Sequence, residues 1–355
     1  MGWADRWPGA GTGAAAAAVP PGGDLLYAGP TPADRAMIEV VIPAHNAAPF
    51  LRETLESVAA QTRPPALVTV VDDRSTDGTV AVAEAAAAAL RDRIAIRVLR
   101  NAGPQGPSGG RNTAIRSSGA TWIALLDSDD LFVPDHHARL AGLLEAAPDA
   151  VLAFGDNTLF RGAETLVPSL LAESGVAALP AEELAPGCLT LGERMFAELT
   201  RTGVFCTSAC LFRRDAALAA GLFDEAMMYS EDQDFFLRLA LQGRFVFSPA
   251  VVTRKRVHET NLSQARNALR FCRGTSETLA RLAAGEEVLS PAQRAAVQRM
   301  LPQALSGYLY HASRSGPAAY WRAARLALRS GHGAMAARPR HLLRTALHRV
   351  LPRLG

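Results

Sequence analysis

Four consecutive polar residues, Asp127-Ser128-Asp129-Asp130, follow the apolar run Trp122-Ile123-Ala124-Leu125-Leu126. Carboxylates crowded at the end of a buried strand repel one another and are costly to desolvate. A hard divalent cation relieves that cost and can in turn hold an anion, most simply a diphosphate. The alternative is a polar loop leading into a helix cap at Pro134-Asp135. Other reactive groups recur along the chain. Glu231 and Asp232 open an apolar stretch in which Phe235, Phe236 and Leu239 share one helical face. Carboxylates at a helix start are favoured by the macrodipole, so capping is a simple explanation for them. Asp234 and Arg238 stand at ion-pair spacing on that helix.

The elements that must position these groups alternate. Glu39–Ile42 reads as a short strand stopped by Pro43, and Phe50, Leu51, Leu55 and Val58 recur at helical spacing. Leu67–Val71, Ile94–Leu99 and Trp122–Leu126 read as further strands, separated by an Ala-rich helix ending at Leu90 and a helix over Gly109–Ser118. Ala150–Phe154 is another strand, with Asp156 just beyond it. Such alternation predicts an α/β layer with a mostly parallel sheet, whose ligands bind at the carboxyl ends of the strands. Three strands end in polar clusters there: Pro43-Ala44-His45-Asn46, Asp72–Thr79 and the Asp127–Asp130 run.

In their order, Val40–Asn46, Val71–Thr79, Gly109-Gly110-Arg111-Asn112, Leu126–Asp130, Gly221–Glu225 and Ser230–Leu239 resemble family 2 glycosyltransferases. The resemblance runs over about residues 38 to 264. It implies the GT-A fold, a Rossmann-like, mostly parallel central sheet flanked by helices, here with a C-terminal helical extension. It also implies a nucleotide-sugar donor, inversion at the anomeric carbon and a divalent metal, Mn²⁺ or Mg²⁺. By that resemblance Pro43, Ala44 and Asn46 surround the base and ribose, and Asp73 accepts a hydrogen bond from a uracil imide. Where many relatives carry an aromatic residue, this chain has His45. Arg111 lies near the nucleotide. Asp129 binds the metal, Asp127 the ribose or metal, and Asp130 is secondary. Asp232 is the general base and Glu231 a positioning residue. His258 reaches the metal or diphosphate and Arg256 the phosphates. Thr207–Arg214 and Phe223-Asp224-Glu225 border the acceptor pocket. Residues 159–195 show no pattern that specifies an acceptor.

Composition sets the limits. No run of 18 or more apolar residues exists, so no transmembrane helix is expected. Ala14–Val19 lacks the basic leader of a signal peptide. Cytoplasmic residence is the expectation. Cys188, Cys206, Cys210 and Cys272 lack zinc-site partners and read as small buried residues. After Glu287 there is no acid, and eleven arginines follow, leaving the rest of the chain at −8 against a whole-chain charge of +3. Lys255 is the only lysine, a bias assigned to genome composition rather than to chemistry.

Three regions follow: a disordered Ala/Gly/Pro-rich tail over 1–36, a GT-A domain over 37–264 with nucleotide-binding (37–133) and acceptor-side (134–264) halves, and an Arg-rich helical extension over 265–355. Leu343, Leu347, Val350 and Leu351 fall on one helical face opposite His341, Arg344 and His348; Arg322, Arg325 and Arg329 have similar spacing. Basic amphipathic helices of this kind either pack on the catalytic domain or lie on anionic membrane at the inner face of the cell membrane. The expected activity is transfer of a sugar, from a UDP-sugar, to a hydroxyl on a glycan, lipid-linked or small-molecule acceptor of cell-envelope polysaccharide. A sugar-phosphate nucleotidyltransferase and a non-catalytic GT-A binding protein are the rivals. Nucleic acid is not an expected partner, since the Arg-rich segment lacks a recognition motif.

Overall fold

A computed structural model describes residues 37–338 except Thr202, Thr260, Ser263 and Gln264, and beyond them His341, Leu342 and Thr345. The expected tail over 1–36 and most of the 341–351 helix lie outside these residues. The first half alternates as its apolar runs predict: β1 (Ile38–Ala44), α1 (Leu51–Ala59), β2 (Leu67–Asp72), α2 (Thr79–Leu90), β3 (Ile96–Arg100), α3 (Pro107–Ser117) and β4 (Trp122–Leu125). β1 pairs in parallel with β2 and β4, and β2 with β3. Val40, Val41 and Ile42 are buried because helices cover both faces of this part of the sheet. β1 does not stop at Pro43. It runs on to Ala44, with Pro43 opposite Val71 near the strand end, where a missing N–H matters least.

The second half is more mixed. β5 (Leu131–Phe132), α4 (His136–Ala146), β6 (Ala150–Arg161), β7 (Glu164–Val167), α5 (Leu170–Glu173), β8 (Glu182–Ala185), β9 (Cys188–Thr190) and α6 (Arg194–Arg201) lead to β10 (Cys210–Arg213), α7 (Arg214–Ala219), α8 (Glu231–Leu239) and β11 (Arg244–Arg256). The sheet order is β3-β2-β1-β4-β10-β6-β11-β9-β8. β10 is antiparallel to both neighbours, while β6 and β11 are parallel. β6 outlasts the expected Phe154 because β7 and the far end of β11 both pair with its second half. Asp156 therefore lies inside the strand, buried, and accepts from the backbone N–H groups of Leu171 and Asn157. α4 begins after Asp135 as expected, but the Asp135 side chain does not cap it.

One small pairing matters most for the site. β5 lies antiparallel on β11, with Phe132 opposite Thr253 and Leu131 opposite Arg254. This register carries the residues that follow Arg254 up beside the Asp127–Asp130 loop.

Three C-terminal helices complete the fold: α9 (Ala268–Ala284), α10 (Pro291–Arg314) and α11 (Pro317–Arg329). They do not form a separate unit. Leu279, Leu282, Val297, Leu305, Tyr308 and Tyr320 share one core with Phe154, Phe235 and Phe236. α10 starts with a full capping box, Ser290 with Gln293, followed by Pro291 at its first position. All four cysteines are buried. Among the described residues no helix is long and apolar enough to cross a membrane.

Candidate active site

The first two strand ends are stitched together by side chains. Asn46 takes a left-handed conformation (φ 49°), and its Oδ1 accepts from the Thr76 N–H at 2.8 Å. Asn46 N donates to Ser75 Oγ at 3.0 Å. Asp73 is buried. Its carboxylate accepts from Asn101 Nδ2 at 2.6 Å and from the Gly106 N–H at 2.7 Å. The exposed His45 ring contacts the Asp73 carbonyl through Nδ1 at 2.9 Å. Pro43 and Ala44 lie at the floor of this edge, half-buried and buried.

A second cluster surrounds the Asp127–Asp130 loop. Arg111, buried on α3, donates to Asp127 Oδ1 at 2.8 Å and to Glu231 Oε1 at 2.9 Å. Its guanidinium also lies over the Phe223 ring, 5.2 Å from the centroid. One planar fork thus joins the end of β4 to the start of α8, a geometry for which arginine is suited and lysine is not. Although burial opposes ionisation, the Arg111 charge holds the Asp127 carboxyl below its usual range. Ser208 Oγ accepts from the Asp127 N–H and donates to Asp130 Oδ2 at 2.7 Å. Asp130 Oδ1 accepts from the Arg256 N–H at 2.9 Å. Burial pushes the Asp130 carboxyl up to about 7, against the pull of Lys255 and with help from Asp129 and Asp127.

Asp129 turns the other way. Its Oδ2 meets His258 Nε2 at 2.7 Å and accepts from Asn261 Nδ2 at 3.2 Å. Phe50 stacks on the His258 ring at 4.5 Å and fixes its plane. Arg256 is held by protein groups. Its Nε donates to the Asp129 carbonyl at 2.8 Å and its Nη2 to Glu53 at 2.6 Å, with the guanidinium over Phe50 and Phe160.

Asp232 sits half-buried in the first turn of α8. Its Oδ1 accepts from the Gln233 N–H at 2.8 Å, so part of its capacity serves the helix start. Burial, then the neighbouring Glu231 charge, push its carboxyl up to about 7. Ser230 before it has φ 61°, a left-handed turn that side-chain residues rarely adopt. That turn sets the angle at which the Glu231-Asp232 pair leaves the core.

Asp129 and His258 present an oxygen and an imidazole nitrogen side by side, a donor pair that fits Mn²⁺ or Mg²⁺ completed by ligand oxygens and water. Asp127 and Asp130 face Lys255 instead, with Nζ 3.8 and 3.7 Å from their carboxylates. Among the described residues no group of three or more His, Cys, Asp or Glu side chains is arranged to hold a metal ion.

The sequence profile of glycosyl transferase family 2 matches residues 39–218, just over half of the chain. The chain belongs to that family. It is similar to the succinoglycan biosynthesis protein ExoO of Rhizobium meliloti, 38% identical over 112 residues that make up 31% of this chain and 30% of ExoO. It is also 28% identical over 202 residues to an uncharacterised glycosyltransferase, EpsJ of Bacillus subtilis, covering 57% of this chain and 55% of EpsJ. These matches thus span about a third to a half of the relatives' lengths. Among solved structures, S. aureus TarS 1–349 in complex with UDP-GlcNAc superposes with a TM-score of 0.60 at 18% identity, over 88% of this chain and 92% of that one. The mannosyltransferase PcManGT of Pyrobaculum calidifontis, in complex with GDP-Man and Mn²⁺, gives 0.54 at 20%, over 92% and 90%. At such identity the likeness establishes the shared GT-A fold.

Within this family 2 chain the fold brings Asp127, Asp129, Asp130, Arg111, Glu231, Arg256 and His258 into one network. Pro43, Ala44, Asn46 and Asp73 form a neighbouring one. Phe223 and Glu225, expected at an acceptor pocket, also anchor α3: Asn112 Nδ2 donates to the Phe223 carbonyl and to Glu225. Sequence reasoning missed Asn101, Asn261 and Lys255, and placed Ser208 only within the Thr207–Arg214 strand expected at the acceptor pocket. Asn101, Asn261 and Ser208 are unremarkable as letters and matter through contacts made 28 to 132 residues away. Lys255 carried a signal, as the single lysine among many arginines.

Proposed function

We propose that this chain is an inverting glycosyltransferase that moves a sugar from a nucleotide-sugar, a UDP-sugar, to a hydroxyl acceptor. The observation that carries the reading is Asp232. It is a carboxylate poised near neutrality, with one oxygen free of hydrogen bonds from described residues, in the turn beside Glu231. Glu231 is tied through Arg111 to Asp127 in the diphosphate cluster.

In the step, the acceptor oxygen forms a bond to the anomeric carbon. The bond from that carbon to the diphosphate oxygen breaks, and its electron pair leaves with the nucleoside diphosphate. The hydroxyl proton passes to Asp232. A single displacement of this kind inverts configuration, and base help contributes about a hundred- to ten-thousandfold. Arg111 keeps Glu231 and Asp127 in register. Asp73, with Asn101 and Gly106 fixing its carboxylate, is placed to accept from a base that carries a ring N–H, while Pro43, Ala44 and Asn46 line the base and ribose side. Arg256 holds the Asp129 backbone. If bound by Asp129 and His258, Mn²⁺ or Mg²⁺ would supply Lewis-acid neutralisation of the departing diphosphate.

The names of relatives support the substrate class. TarS with UDP-GlcNAc and PcManGT with GDP-Man and Mn²⁺ share the fold, and ExoO is named for polysaccharide synthesis. A glycan or lipid-linked acceptor of envelope polysaccharide, met at the cytoplasmic membrane face, fits these. The outer side of α11 supports that placement. Trp321 (62% exposed) and Leu328 (70%) flank Arg325 there, with Arg322 and Arg329 beside them. Apolar anchors among cations suit an anionic bilayer.

The test is a screen of UDP- and GDP-sugars with envelope-type acceptors, followed by NMR of the product linkage. Asp232→Asn keeps size and removes basicity. Transfer should fall at least about a hundredfold while UDP affinity stays within about threefold. Transfer by the folded variant at near wild-type rate rules out Asp232 as the base. A product that retains the donor's anomeric configuration rules out the single displacement.

A further inference from the structure

The only lysine of the chain stands in the centre of the candidate site. Lys255 is the penultimate residue of β11, placed there by the β5–β11 pairing. Its Nζ lies 3.8 Å from Asp127 Oδ2 and 3.7 Å from Asp130 Oδ2. These are charge contacts longer than hydrogen bonds. At that length neither carboxylate holds Nζ tightly, and an ammonium has three donors to place. The side chain is 24% exposed, so it is partly screened from water. Burial works against its charge, yet the Asp130 and Asp127 carboxylates keep it protonated.

The neighbouring cations differ. Arg111 spends both forks on Asp127 and Glu231, and Arg256 is taken up by Asp129, Glu53 and two aromatic rings. Lys255 is the cation in this cluster whose ion pairs are long, 3.8 and 3.7 Å to Asp127 and Asp130. It also divides the acidic run. Asp127 and Asp130 face the ammonium, and Asp129 alone faces His258.

We propose that Lys255 is a built-in cation for the donor's terminal phosphate, donating to the β-phosphate oxygens of the nucleoside diphosphate. The inference rests on the glycosyltransferase reading and deepens it. A fixed ammonium at this point neutralises part of the leaving-group charge and gives the protein an affinity for the β-phosphate that does not require a divalent ion. A metal held by Asp129 and His258 adds to that affinity. Lysine suits the role, since it meets phosphate as a point charge.

Calorimetric titration of the full chain with UDP and UMP, in excess chelator and then with Mn²⁺, tests this, with GDP and GMP alongside in case the base is guanine. In chelator the wild type should bind the diphosphate at least about tenfold tighter than the monophosphate. Lys255→Met should remove that margin while leaving the monophosphate affinity in place, and Lys255→Arg should keep most of it. The monophosphate doubles as the check on folding. If Lys255→Met does not fold, the wild-type margin in chelator still decides. A wild type that prefers the diphosphate only when Mn²⁺ is added overturns the role of Lys255 and leaves the transferase reading standing. So does a Lys255→Met variant that keeps the full margin or loses both ligands equally while folded. A wild type that binds none of these nucleotides, with or without Mn²⁺, overturns both.

Discussion

At the scale of single residues, burial pushes two carboxyls in this site up to about 7, and only one of them is proposed as the base. Asp130 is enclosed, bonded to Ser208 and the Arg256 backbone, and faces Lys255. Asp232 opens onto the crevice with an oxygen to spare. A general base must be ionised, so kcat/KM should rise about tenfold per pH unit below about 7 and level off above it. Asp130→Asn should leave that limb in place, because Asp130 takes no proton from the acceptor. A flat profile between about pH 5.5 and 8.5, measured with donor and metal saturating, removes Asp232 from the mechanism. The residue types were readable from the sequence. Their partners were not: Arg111, expected near the nucleotide, is committed to two carboxylates that sit 16 and 120 residues away.

At the scale of elements, α8 carries the proposed base, and part of its attachment is ionic. Asp234, two residues after Asp232 and buried, meets Arg238 at 2.7 Å, as the helical spacing predicts. It also meets Arg281 and Thr278 of α9. Removing one partner from a buried network strands the others, which typically costs about 3–5 kcal/mol. Arg238 and Arg281 keep some access to water, so about 2–3 kcal/mol is expected for Asp234→Ala. Urea denaturation should show it, along with a loss of transfer larger than the loss of nucleotide affinity, because Asp232 rides on the same helix. A variant as stable as wild type would mean that packing alone seats α8. The Arg238 contact could be read from spacing. The α9 contact could not, since it joins residues more than forty apart and has no local spacing to mark it.

At the scale of the molecule, one face of the acid-free C-terminal segment packs on the core, and the membrane contact is proposed for the other. Tyr320, Ala323, Ala324 and Ala327 of α11 pack into the common core, which is the packing alternative drawn from the sequence. Trp321, Arg325 and Leu328 point away from it. Deleting residues 288–355 would strip Val297, Leu305 and Tyr308 from that core, so it is a poor probe of membrane contact. Point changes are cleaner. The whole chain should float with phosphatidylglycerol vesicles at low salt, and Trp321→Ala with Leu328→Ala should weaken this at least about tenfold. Intact protein that ignores anionic vesicles at low salt removes the membrane surface and leaves only the packing role.

The sequence by itself determined the local grammar. Apolar runs of strand length followed by polar turn residues marked β1 to β4 and the polar edge where ligands gather, because strand periodicity and turn chemistry act over a few residues. It also fixed the family, through the order of short motifs. Tertiary structure decided which charges neutralise which. The β5–β11 pairing, two residues deep, delivers Lys255 and Arg256 to carboxylates more than 120 positions earlier. It also decided that the C-terminal helices share one apolar cluster with Phe154, Phe235 and Phe236. Burial and charge pairing depend on distance in space, and a linear pattern does not encode which of thirty-seven cations will meet a given carboxylate.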